Sequence, residues 1–75
     1  MNTQQRIGRN IKKLREMSGK TQSQYGQEFK QYGENFVMTR SRICDLEAGR
    51  FMPNAGIIVM IAKHHSVSTD SILLD

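Results

Sequence analysis

Apolar residues recur at helical spacing in segment after segment of this chain, and no stretch alternates long enough to make a strand. Ile7, Ile11, Leu14 and Met17 stand at i, i+4, i+7 and i+10, one stripe along a helix spanning roughly Thr3 to Met17. Arg6, Arg9, Lys12 and Lys13 populate its other faces, and Ser18-Gly19 ends it with a natural left-handed cap. Thr21 followed three residues later by Gln24 is a capping-box pattern. It opens a second helix over about residues 22–31, with Tyr25 and Phe29 on one face. Gly33 and Asn35 break the chain, so Gln31 to Val37 reads as a loop. Phe36, Val37 and Met38 turn its far end back onto the core. Thr39 caps a third helix over about residues 40–48; Ile43 and Leu46 point inward and Gly49 closes it. Pro53-Asn54 opens a fourth, about Asn54 to His64. Its Ile57, Ile58, Met60, Ile61 and Ala62 are apolar nearly all round, which predicts the most buried helix. Ser68 or Thr69 caps a last short helix carrying Ile72, Leu73 and Leu74. The expectation is an all-α fold of five helices in a single domain, residues 1–75.

Seventy-five residues leave too little chain for a second core. Eleven Lys and Arg against seven Asp and Glu give a net charge of +4, a balance that favours a polyanionic partner. The single cysteine has no partner for an internal disulfide, so nothing points to an oxidising compartment. No apolar run approaches the roughly eighteen residues that would suggest a membrane span. The opening MNTQQRIGRN is polar and basic with no apolar segment behind it, unlike a secretory signal. A cytoplasmic protein without membrane association is expected.

Catalysis finds little support. His64 and His65 are adjacent, so on a helix they point about 100° apart and do not serve one site. The nearest acids along the chain are Asp70 and Asp75, and two polar residues at a helix C-terminus are explained by the helix dipole. One cysteine and two neighbouring histidines lack zinc-ligand spacing. There is no glycine-rich phosphate loop. Cys44 has no visible activating base and reads as a small packing residue. No enzyme activity, cofactor, metal or small-molecule ligand is expected.

The stretch TRSRICDLEAGR, Thr39 to Arg50, reads differently. Two short helices joined by a connection, the second beginning with polar and basic residues, are the parts of a helix-turn-helix, whose second helix reads base edges near its N-terminus. Projection at 100° per residue puts Ile43 and Leu46 inside and Ser41, Cys44, Asp45 and Ala48 outside, with Arg40 and Arg42 on the flanks. Either guanidinium suits guanine O6 and N7 or a phosphate. Asp45 accepts from a cytosine amino group or pairs with Arg42 at i, i+3. Taken alone, the stretch suits a solvated helix of mixed charge slightly better.

Its setting adds more. IGRNIKKLREMSGKTQSQYGQEF, followed by TRSRICDLEAGRFMP, resembles the lambda-repressor-like, Cro/C1-type (XRE) helix-turn-helix family. That family's first helix ends in L-R-x-x-x-G-x-T-Q, here Leu14, Arg15, Gly19, Thr21 and Gln22. Its third follows S/T-x-x-x-I-x-x-[IL]-E-x-G-[KR]-x-x-P, here Thr39, Ile43, Leu46, Glu47, Gly49, Arg50 and Pro53. The tail HHSVSTDSILLD is similar to the family's V-S-x-[DE]-x-[IL]-L ending. The match runs from about Arg6 to Leu74.

The resemblance implies roles. Gln22 would hydrogen-bond a DNA phosphate and brace the recognition helix. Arg40, Ser41 and Asp45 would meet bases, with Thr39, Arg42 and Arg50 near the backbone. Arg15 and Glu47 would form a structural ion pair between helices one and three. Two features depart from the pattern: about seven extra residues lengthen the turn between helices two and three, and Gly26 sits inside helix two at a propensity cost of about 1 kcal/mol relative to Ala. With no further domain expected, affinity for double-stranded operator DNA would draw on a homodimer or a heteromeric partner repressor, because one such module makes few contacts. Ile72, Leu73 and Leu74 suit either a dimer surface or the core. Basic residues of helix one and Arg50 would supply the salt-dependent phosphate contacts. The expected function is a sequence-specific regulator of Cro type reading the major groove. The alternative is an antirepressor that binds another repressor protein.

Overall fold

The computed structural model describes residues 2–75. Five α-helices follow one another: α1 (Thr3–Met17), α2 (Gln22–Glu28), α3 (Arg40–Glu47), α4 (Ala55–His64) and α5 (Thr69–Leu73). Among the described residues there is no strand. Among the same residues no helix is long and apolar enough to cross a membrane.

Local chemistry sets most of the boundaries. Thr21 Oγ1 accepts from the Gln24 amide while Gln24 Oε1 accepts from the Thr21 amide, closing the expected capping box. Asn2 and Gln5 make the same reciprocal pair at the start of α1. Thr39 accepts from the Arg42 amide and Asn54 from the Ile57 amide, so Asn54 is the cap of α4 rather than its first residue. Ser68, not Thr69, takes the cap position of α5.

The lengthened connection is more ordered than a loop. α2 stops at Glu28, and the chain continues as a 3-10 turn over Phe29–Tyr32, so the second helical segment reaches its expected end with a tighter pitch. Gly33, at φ 132°, separates it from a second 3-10 turn, Glu34–Phe36. Met38 then buries its side chain and donates its amide to the Gly26 carbonyl at 3.2 Å.

Ile7, Ile11, Tyr25, Phe29, Ile43, Leu46, Ile61 and Ile72 form the fully buried centre, drawn from all five helices and the first 3-10 turn. The α1 stripe stops at the half-buried Leu14. Met17, one turn further, is 83 % exposed, because no element packs on that side of the helix end. α4 is less enclosed than its composition predicts: Ile58, Met60, Ile61 and Ala62 are buried, Ile57 is half-buried and Val59 is exposed. In α5, Ile72 is core and Leu74 is exposed.

α1 is the hub. Its Gly8 lies against the C-terminal backbone of α3; a methyl group there would come within 2.5 Å of the Leu46 carbonyl oxygen. On another side, Asn10 Nδ2 donates to the Ile72 carbonyl at 2.9 Å, Arg6 Nε to that of Leu73 at 3.1 Å, and Arg9 Nη2 to that of Asp75 at 3.2 Å. These donors, one amide and two guanidinium groups, satisfy carbonyls at and just beyond the end of α5 that the helix leaves unpaired.

Candidate nucleic-acid interface

α3 is held by its inner side. Glu47, nearly buried, accepts from Arg15 Nε at 2.6 Å and Arg15 Nη2 at 3.1 Å, a bidentate pair, and from Gln22 Nε2 at 3.1 Å. Arg15 Nη1 also donates to the Lys20 carbonyl at 2.9 Å. The Glu47 hydrogen bond is the main cause that raises the Arg15 pKa above its ordinary value; the charge of Glu47 adds to it and burial opposes it. One carboxylate therefore ties α1, the start of α2 and the end of α3 together. Gln22 braces α3 through one amide proton and keeps a second donor on the same nitrogen.

The outer side carries the candidate contacts. Thr39, Arg40, Ser41 and Arg42 are exposed over the first turn of α3, and Asp45 and Cys44 are intermediate. The structure sorts the charges differently from the sequence reading. Asp45 does not pair with Arg42 at i, i+3. Its Oδ1 accepts from Arg50 Nη1 at 2.7 Å, because Gly49, at φ 75°, reverses the chain and brings Arg50 back beside the helix. Arg42 instead lies over the Phe51 ring, its guanidinium carbon 4.2 Å from the centroid. On α1, Arg6 and Arg9 are turned to the end of α5, leaving Lys12 and Lys13 as exposed cations of that helix.

A polar cluster escaped the sequence reading. Along the chain the nearest acids to His64 and His65 are Asp70 and Asp75, yet it is Glu28 whose Oε1 lies 2.9 Å from His64 Nε2, while Lys20 meets Oε2 at 3.3 Å. Glu28 only accepts, so His64 Nε2 carries the proton, and in the neutral ring Nδ1 accepts from the Tyr32 hydroxyl at 2.7 Å. His65 Nε2 meets the Tyr25 hydroxyl at 2.7 Å. Burial alone would raise the Glu28 pKa, but hydrogen bonds from His64 and Lys20 outweigh it and hold the carboxyl below its ordinary value. Burial pushes the Tyr25 hydroxyl pKa up. The two histidines serve different partners, and the cluster fastens the lengthened connection to α4. Among the described residues, no group of three or more His, Cys, Asp and Glu gathers as a metal site.

The cluster makes stability pH-dependent. Burial, then the neighbouring His64, lowers the His65 pKa below its ordinary value. The unfolded chain, titrating near roughly 6.5, thus takes up a proton that the folded chain resists. His65 imposes no penalty above that pH and costs stability increasingly as pH falls toward its folded pKa. The melting temperature is expected to fall between pH 7.5 and 5.5, and His65→Gln, which retains a partner for Tyr25, should flatten that slope. Equal slopes for both proteins would remove His65 as the cause.

No protein-family model matches the chain, and neither a curated protein nor a solved structure is detectably similar to it.

Proposed function

We propose that the chain is a small sequence-specific DNA-binding regulator of Cro/repressor type, with the lambda-repressor-like arrangement and α2 and α3 as its helix-turn-helix. The observation that carries this reading is a short helix braced from within by Arg15, Gln22 and Glu47 and presenting Arg40 and Ser41 to solvent at its first turn. A rigid element with outward donors at its N-terminal end suits major-groove readout. Arg40 and Ser41 act on base edges. Gln22, with its spare amide proton, Thr39 and Arg42 act on the adjacent backbone. The net charge of +4 supplies attraction to phosphate without regard to sequence. Asp45, neutralised by Arg50, adds little repulsion of DNA, and Arg50 contributes less to phosphate binding than a free cation would. The functional unit is a homodimer on paired half-sites.

Arg40→Ala tests the reading. Against the duplex that the wild-type protein enriches from a randomised pool, the variant should lose about 1–3 kcal/mol, roughly 5- to 150-fold in affinity, and tolerate base changes at one position. Unaltered affinity and sequence preference would remove Arg40 from the contact surface. A second reading, an antirepressor that binds another repressor protein, draws on the exposed apolar side chains of Met52, in the α3–α4 connection, and Val59, in α4. It requires that the protein alone enrich no DNA sequence and that it alter the DNA shift of a partner repressor.

A further inference from the structure

The partition of charges around α3 separates two arginines that look equivalent in the sequence. Arg50 commits one N–H donor to Asp45, Nη1 to Oδ1 at 2.7 Å. Arg42 has no such acid, because Asp45 is taken, and its guanidinium lies on the face of Phe51. Stacking occupies the flat face of a guanidinium and leaves its in-plane N–H groups available. A carboxylate partner does the reverse, taking an in-plane N–H donor and offsetting part of the charge. Phe51 is itself fixed: it is half-buried and packs against the core cluster. Arg42 also borders a recess where Phe36, Val37 and Ile57 give its stem apolar walls beside the polar Asn35 and Thr39. The result is an exposed cation in the first turn of α3, held in place while its donors and its charge remain uncommitted.

We propose that Phe51 is a positioning residue for DNA recognition, pre-ordering Arg42 as a fork for a pair of acceptors on duplex DNA, either phosphate oxygens or guanine O6 and N7. This rests on the DNA-binding reading above. The gain comes from order rather than contact: a long side chain already held by the ring loses less freedom when it binds. Arg42 is then the ready contact, and Arg50 is the held one.

A double-mutant cycle separates this from a structural role. The probes are the duplex enriched by the wild-type protein and a random-sequence duplex of the same length. Phe51→Leu should weaken binding about two- to fivefold, the range an exposed cation–π contact supports. Phe51→Tyr, which keeps an aromatic face, should restore binding to near wild type. In an Arg42→Ala background, Phe51→Leu should have no further effect, since the side chain it orders is gone. A loss on both duplexes, with a salt slope reduced by about 1 in Arg42→Ala, assigns phosphate; a loss on the enriched duplex alone assigns guanine. An undiminished Phe51→Leu effect in the Arg42→Ala background would overturn the proposal, leaving Phe51 as packing. So would wild-type affinity in Phe51→Leu or in Arg42→Ala. Should Phe51→Leu melt far below the wild type, Arg42→Lys replaces it, keeping the charge but losing the planar fork. Affinity equal to wild type in that variant would equally refute the proposal. If the wild-type protein enriches no sequence and binds neither duplex, the DNA-binding reading itself fails and this inference falls with it, an outcome distinct from the others.

Discussion

Replacing Glu47 by alanine is expected to lower the melting temperature by roughly 12–24 °C. The carboxylate receives two hydrogen bonds from Arg15 and one from Gln22, and both ends of the ion pair are largely shielded from water, at 12 % and 4 % side-chain exposure. Removing it leaves a guanidinium with its fork unpaired between three helices. Breaking a buried pair from one side costs about 3–5 kcal/mol, and the lower figure suits Arg15, which keeps some water and the Lys20 carbonyl. In a domain of this size each kcal/mol moves the midpoint by about 4–8 °C. The same reasoning makes a second variant informative. Arg15→Met combined with Glu47→Leu removes both charges and should recover much of the loss, because an apolar pair carries no desolvation cost. A calorimetric drop under about 4 °C for Glu47→Ala would mean that the pair contributes no more than a surface contact.

That pair was legible before the structure only through the resemblance, since Arg15 and Glu47 are far apart along the chain. Features governed by local rules were legible directly. The Thr21–Gln24 box, the Thr39 cap and the inward Ile43 and Leu46 depend on residues within one or two turns, and the helix period captures them. What remained hidden was set by chain reversals and long-range packing. Asp45 chose Arg50 over Arg42 because Gly49 redirects the chain outside the helix, where projection at 100° per residue has no meaning. Glu28, Tyr32 and His64 meet across more than thirty residues, and no spacing announces that meeting. Met17 fits the α1 stripe by period, but nothing lies beyond Leu14 to cover it. The extra residues between α2 and α3 looked like slack; two 3-10 turns and the histidine cluster use them as a fastened strap.

Gly26→Ala should destabilise the protein although it improves the helix. In an open α2 the change would gain about 1 kcal/mol. Here a methyl group on Gly26 would sit 1.9 Å from the Met38 carbonyl oxygen and 2.9 Å from its carbon, both backbone atoms. Those atoms do not yield as a side-chain tip would, since Met38 also donates its amide to the Gly26 carbonyl and buries its side chain. The strand of backbone leading into α3 must move away from α2. Overpacking of this kind costs about 1–3 kcal/mol and sometimes more, and a backbone clash belongs at the upper end. After the propensity gain is subtracted, a net loss of about 2 kcal/mol is expected, which is a fall of roughly 8–16 °C in the thermal midpoint. Gln27→Ala, exposed on the same helix, should stay within about 0.5 kcal/mol of wild type and shows that alanine in α2 is harmless in itself. A Gly26→Ala protein as stable as wild type would mean that α3 is free to shift by the width of a methyl group. The bracing of α3 by Glu47 would then be its main restraint, and the closeness of α2 to Met38 a consequence of packing rather than a cause of it.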